Sequence, residues 1–264
     1  MKLTFLGTGA ADWPNKPSCE YTDAERRMTA HILDGHIMLD AGPQGFDHAE
    51  ALGYDMSLIT DVFVSHTHGD HFSEGDFEKF INAANGKINI WCEAGAAKNL
   101  RLTAELLSRV EVHIVPVFEP FAAAGYTVTA MPANHQVTGE QPIHYVFEKD
   151  GKSLFYGLDG GWFMADTWEY MRKKWRTDNA LDALVLDATV GDKDGDFRLG
   201  THNSVPMLRL IVAALKENLM VKENTKIYAS HLSRTLYDTD LVKVTEMFAE
   251  FGMILANDGL VAEI

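Results

Sequence analysis

The sequence predicts an α+β fold in which two sheets pack together with helices outside, as a single domain over residues 1–264. Three observations carry this. Short β-rich runs alternate with helical ones from end to end. Strands come first and mixed units follow, in two successive halves. No Pro/Ser-rich linker, internal repeat or low-complexity stretch divides the chain.

In chain order, strands are expected at residues 2–6, 30–33 and 37–39, the last two joined through Asp34-Gly35, a hairpin-turn dipeptide. Val62-Phe63-Val64-Ser65 is an apolar run bounded by polar residues and predicts a buried strand. Further strands are expected at 88–91, 112–115, 127–131, 144–148, 154–156 and 183–186, with closing strands near Ile227, Met253 and Leu260. Helices are expected at 77–84, 96–107 and 162–174. A further helix is marked by Val205, Leu208, Val212, Leu215 and Leu219, an apolar stripe at spacings of three and four.

Composition is that of an ordinary globular protein, with 46% hydrophobic and 23% charged residues. Collagen, disulfide scaffolds and disordered chains are excluded. The formal net charge of −15 repels polyanions, so nucleic acid and anionic lipid are not recruited by the overall field. Two cysteines, Cys19 and Cys92, are too few for a disulfide framework or a cysteine-built zinc site. They fit a reducing compartment, and the cytoplasm is the expected location. The N-terminal apolar run turns at Gly7, too short for a signal-peptide core, and no run is long enough to span a membrane.

The chemistry concentrates at His66-Thr67-His68-Gly69-Asp70-His71, directly after the strand expected at 62–65. Three imidazoles and a carboxylate at a strand's carboxyl end can be aimed at more than one ion. His66 and His68 project to one side of extended chain, while Asp70 and His71 enter the next turn and reach a neighbouring site. Imidazole with carboxylate suits zinc or manganese, with iron also compatible. His135 and His231 stand at two further strand ends; taken singly each reads as a structural histidine, and beside the first motif each becomes a ligand candidate.

Across nearly its whole length the chain resembles the metallo-β-lactamase superfamily. The matching pieces are Phe5-Leu6-Gly7-Thr8-Gly9, Leu39-Asp40-Ala41-Gly42, the histidine motif, His135, Tyr156-Gly157-Leu158-Asp159 and Ser230-His231-Leu232-Ser233. The resemblance implies a four-layer αββα sandwich with a binuclear site holding two divalent metal ions. His66, His68 and His135 would hold one ion, and Asp70, His71 and His231 the other. Asp159 fits the family's bridging carboxylate, although its context here is Leu-Asp-Gly; Asp187, which also ends a strand, is the competitor. Asp40 reads as a buried carboxylate bracing the ligand loop.

Leu186-Asp187-Ala188-Thr189, Thr201-His202-Asn203-Ser204 and Ser230-His231-Leu232-Ser233-Arg234 resemble the phosphodiesterase branch, which includes tRNA 3′-processing and cyclic-phosphate enzymes. In that branch the His202 position faces the scissile phosphate. Asn203 or Ser204 can cap the following helix, whose free N–H groups would favour a phosphate beside His202. Two divalent ions against Asp70, Asp159 and a bridging hydroxide leave a local charge of about +1, attractive to a phosphodiester, with the hydroxide as nucleophile. Asp70 would orient that water or take its proton, His202 would act on the leaving oxygen, and Asp187 would orient His202 and raise its pKa.

The expected substrate class is therefore small phosphodiesters, cyclic ones included. Long RNA is disfavoured, because only 24 positions separate His135 from Asp159, too few for an RNA-gripping arm. The basic run Met171-Arg172-Lys173-Lys174-Trp175-Arg176 reads as a solvated helix face. Gly160-Gly161-Trp162-Phe163 reads as aromatics packed into the core rather than set against a base. The second reading is a thioester or lactone hydrolase of the same fold, with His202 incidental; the third is a non-catalytic metal-binding relative.

Overall fold

The computed structural model describes residues 1–22, 24–193 and 195–264, which fall into two units. The first comprises Met1–Val115, Val137–Pro142 and Asn257–Glu263; the second comprises Pro116–Gln136 and Ile143–Ala256.

The first unit is built on β1 (Lys2–Gly7), β2 (Ala30–Leu33), β3 (Ile37–Ala41), β4 (Asp61–Phe63), β5 (Ile88–Cys92) and β6 (Val110–Ile114). With the C-terminal strand Val261–Glu263 at one edge, they form a seven-stranded sheet in chain order. Asp34 and Gly35 take φ of 50° and 77°, the positive values that a tight hairpin between β2 and β3 requires. From β3 to β6 the strands are parallel. The crossovers carry α1 (Gly45–Ala51), α2 (Glu74–Ala83), α3 (Ala94–Asn99) and α4 (Ala104–Ser108). Ser73 caps α2 by accepting from the Asp76 N–H, and the helix buries Phe77, Phe80 and Ile81 in a core with Leu6, Met38, Val62 and Ile90. The ligand loop therefore leaves the carboxyl end of a central parallel strand, β4.

The second unit begins as an antiparallel meander of β7 (Phe121–Ala123), β8 (Tyr126–Pro132), β9 (Ile143–Lys149) and β10 (Lys152–Gly157). It continues in parallel through β11 (Leu181–Asp187), β12 (Val221–Ser230) and β13 (Ile254–Leu255). The crossover helices are α5 (Ala165–Lys174), α6 (Val205–Glu217) and α7 (Leu241–Ala249). α6 and α7 bury Leu208, Val212, Leu215, Val244 and Phe248 against the sheet residues Leu184, Leu186, Ile227 and Ala229. β8, β10, β11 and β12 all run the same way, so His135, Asp159, Asp187 and His231 stand along one edge of this sheet.

Three expectations change. The helix expected at 96–107 is two helices, because Leu100 turns extended at ψ 107° and Thr103 starts α4 by accepting from the Leu106 N–H. The strand expected at 62–65 ends at Phe63, since the Ser65 N–H is drawn to Asp40 at 2.8 Å. The helix expected from 162 begins at Ala165. Trp162 is left 48% exposed, and of the two aromatics only Phe163 packs, against Phe155, His144 and Trp168. α1, α7 and β7 are short elements absent from the sequence-based expectation, although α7 carries Val244 and Phe248 on one buried face. Among the described residues no helix is long and apolar enough to cross a membrane.

Candidate metal centre

In the first unit, His66 and His71 are fully buried and Asp70 nearly so. His66 Nε2 faces His68 Nδ1 at 3.1 Å, and His71 Nε2 lies 3.8 Å from Asp70 Oδ2. Behind them, the Asp40 carboxylate accepts from the Ser65 N–H at 2.8 Å, the Ser65 hydroxyl at 2.9 Å and His71 Nδ1 at 2.9 Å. Burial opposes charge on Asp40, but His71, His66 and the Ser65 N–H outweigh it and hold the carboxyl below its ordinary range. Gly42 is glycine for a steric reason: a Cβ there would strike the carbonyls of Asp70 and Thr29.

A second brace holds the outer face of the same loop. Glu140 accepts from the Thr67 N–H at 3.0 Å, from the Thr67 hydroxyl, and from Asn99 Nδ2 at 2.7 Å. No motif in the sequence marked Glu140, because its partners lie 73 and 41 residues away.

In the second unit, the two oxygens of Asp159 divide between two imidazoles. Oδ1 lies 3.0 Å from His231 Nε2, and Oδ2 lies 3.4 Å from His135 Nε2. Asp187 is used differently. Its Oδ1 accepts from the Thr189 N–H at 2.7 Å and the Thr189 hydroxyl at 2.5 Å, while Oδ2 accepts from the Gly160 N–H at 3.3 Å and His202 Nδ1 at 2.9 Å. Four donors saturate this fully buried carboxylate.

These partners fix the tautomers. Ser65 and Thr189 spend their hydroxyl protons on Asp40 and Asp187, so they must accept from His66 Nδ1 at 3.0 Å and His231 Nδ1 at 2.7 Å. His71 Nδ1 donates to Asp40, and His135 Nδ1 to the Thr201 carbonyl at 3.3 Å. All four rings thus have Nδ1–H anchored by an oxygen of the fold, which leaves Nε2 as the atom the neutral ring would offer to a metal; His68 instead turns Nδ1 toward His66. Neutral imidazoles with buried carboxylates are a donor set that fits zinc or another divalent first-row ion. Asp40, Asp159 and His231 have φ of 58°, 47° and 63°, left-handed conformations that concentrate where side chains must be aimed.

His202 is 12% exposed, with its Nδ1 tied to Asp187 and its Nε2 not among those anchored bonds. Burial disfavours its charge, but the Asp187 and Asp159 carboxylates outweigh that and raise its pKa above the ordinary value. Ser204, not Asn203, caps α6, accepting from the Met207 N–H at 3.4 Å. Asn203 instead donates to the Gly160 carbonyl at 2.9 Å. The phosphate cradle expected at this helix start is not there: the Val205 N–H is taken by Gly191, Pro206 has none, and Met207 bonds Ser204. The basic run at 171–176 is largely paired, Arg172 and Lys173 with Glu169 and Lys174 with Glu148.

Residues 36–220 match the family model described as "Beta-lactamase superfamily domain". No curated protein matches the chain. Among solved structures, the short form of human tRNase Z is 20% identical, with a TM-score of 0.72 over 100% of this chain and 99% of its own. A diphosphatase from the PhnP family is likewise 20% identical at a TM-score of 0.72, covering 100% of this chain and 96% of its own. Zn(2+)-bound PqqB from Methylobacterium extorquens is 16% identical at 0.73 over the full length of both chains. At these identities the likeness shows a shared fold.

Proposed function

The chain belongs to the metallo-β-lactamase superfamily, with its αββα fold, and from that premise we propose that it is a metal-dependent hydrolase of small phosphodiesters. The observation that carries the proposal is Asp159, whose two oxygens face different histidines, His135 and His231. A carboxylate divided in this way is suited to being shared by two ions. Asp187, with all its acceptor positions filled, is suited to positioning His202 instead. In this reading His66, His68 and His135 would hold one ion, Asp70, His71 and His231 would hold the other, and Asp159 would serve both.

Zinc is favoured by the donor chemistry and by its presence in PqqB, with manganese and iron as the other candidates. Bound divalent ions supply Lewis-acid activation of a phosphoryl oxygen and of water. The chain's own groups do the rest. Asp70 orients the attacking water and accepts its proton. As the phosphorus–oxygen ester bond breaks, protonated His202 gives its Nε2 proton to the leaving oxygen. Asp187, at 2.9 Å from His202 Nδ1, holds the ring in that orientation and favours its charged form. A diphosphatase and a tRNase among the similar structures support phosphoryl chemistry. The net charge of −15 and the paired basic run speak for a small substrate rather than long RNA.

The test is turnover of a panel by protein loaded with zinc or manganese: bis-p-nitrophenyl phosphate, cyclic nucleotides, thioesters and lactones. Hydrolysis of the phosphodiesters is expected. Turnover of thioesters or lactones alone would replace the phosphodiesterase reading with an acyl hydrolase in which His202 is incidental.

A further inference from the structure

A cavity of ≈580 Å³ in the first unit lies against the outer face of the histidine loop. Thr67, His68, Glu74, Asn99, Arg101 and Thr138 are among the residues that line it. The volume is that of a small-molecule site. Its walls are fixed, because Glu140 ties Thr67 to Asn99 and Asn99 Nδ2 also donates to the Thr138 carbonyl at 3.2 Å. Arg101, in contrast, makes no hydrogen bond or ion pair with the described residues, and neither does the Thr138 hydroxyl.

An arginine left without a carboxylate partner is notable in a chain with 38 acidic and 23 basic residues. The guanidinium offers a rigid fork of N–H donors, and the Thr138 hydroxyl adds one more, a set that matches the oxygens of a phosphate. Glu74, which also lines the cavity, opposes a second anionic group, so the cavity is suited to one phosphate and not to a polyanionic strand. Nothing in the proposed hydrolysis uses these residues.

We propose that this cavity is a specificity subsite for a phosphate monoester carried by the substrate away from the scissile bond, with Arg101 as its counter-ion. The proposal rests on the phosphodiesterase reading, with His68 as the wall shared between subsite and metal loop. It makes Arg101 a residue that sets which phosphodiester is bound, not how fast the bond breaks.

The test compares two substrates that differ only in the remote group: thymidine 5′-(p-nitrophenyl phosphate), with and without a 3′-phosphate. The parent should show kcat/KM at least about tenfold higher for the 3′-phosphorylated ester, and Arg101→Gln should abolish that preference through KM. Arg101→Gln should leave the unphosphorylated ester unaffected, and Arg101→Lys should keep part of the preference. Calorimetric titration with thymidine 3′,5′-bisphosphate and thymidine 5′-monophosphate reads the subsite without turnover. Tighter binding of the bisphosphate, lost in Arg101→Gln, sustains the subsite even if neither ester is hydrolysed, in which case only the phosphodiesterase reading fails. Equal binding of the two nucleotides, or a preference that survives in Arg101→Gln, overturns the subsite.

Discussion

Asp40 Oδ2 lies 2.9 Å from His71 Nδ1, and both side chains are fully buried. The contact puts a proton on Nδ1, because a carboxylate can only accept there, and it leaves His71 Nε2 facing Asp70 Oδ2 at 3.8 Å. Asp40 also receives the Ser65 N–H and hydroxyl, so one carboxylate fixes both the exit of β4 and the first donor rings of the loop.

Asp40→Asn tests that brace. Asparagine tolerates the φ of 58°, so the effect comes from the side chain, whose NH₂ must now face a donor. A loss of about 1–3 kcal/mol in denaturant unfolding of the metal-free protein is expected, together with metal affinity lower by about 10–100-fold in a chelator competition. Unchanged affinity in the folded variant would show that His71 is oriented by something else.

Glu140 makes a separable claim, since it holds Thr67 and Asn99 but touches no proposed ligand. In Glu140→Ala the Thr67 amide should exchange with solvent at least about tenfold faster and metal affinity should fall, while Glu140→Gln, which keeps one acceptor, should lie between variant and parent. Exchange at Thr67 as slow in the alanine variant as in the parent would count against the brace.

The two cysteines should separate chemically. Burial, followed by the nearby charges of Glu93 and Glu140, pushes the Cys92 thiol up to about 12, so it stays protonated at any ordinary pH. Cys19 is exposed. At pH 8 a thiol-exchange reagent such as dithionitrobenzoate should titrate one thiol per native chain and two after denaturation. Two reactive thiols in the native protein would contradict the packing around β5.

What the sequence made legible was whatever its own neighbourhood dictates. The Asp34-Gly35 turn, the stripe of α6 and the six-residue histidine motif depend on residues within a turn or two of one another. The oxygens behind the rings are another matter: Thr189 meets His231 across 42 positions and Asp40 meets His71 across 31. Those distances in sequence are bridged only when strands take their order in the sheet. The break at Leu100 and the late start of α5 are not legible in apolar spacing, which encodes neither the hydroxyl cap of Thr103 nor the uncapped start at Met164. Free helix N–H groups at α6 were expected from residue type alone; the Gly191 carbonyl that consumes one of them comes from another loop.

The last prediction concerns His202, to which the proposed phosphodiester hydrolysis assigns the leaving-group proton. Its Nδ1 is spent on Asp187 and Thr189, at 2.9 and 3.0 Å, and its ring stacks 5.8 Å from that of His231; the same Nδ1 lies 3.9 Å from Asp159 Oδ1, which His231 Nε2 approaches to 3.0 Å. A group placed to act on a leaving oxygen contributes to the transition state and little to the ground state. His202→Ala should therefore keep the parent's metal content and fold, lose kcat on phosphodiesters by roughly 10²-fold or more, and change KM little. Asp187→Asn should lower kcat in the same direction by releasing the ring from its orientation, and the double variant should be little worse than His202→Ala, because both act through one imidazole. Loss of an ion in His202→Ala would make this residue a ligand, and phosphodiester turnover at the parent's rate would remove it from the reaction altogether.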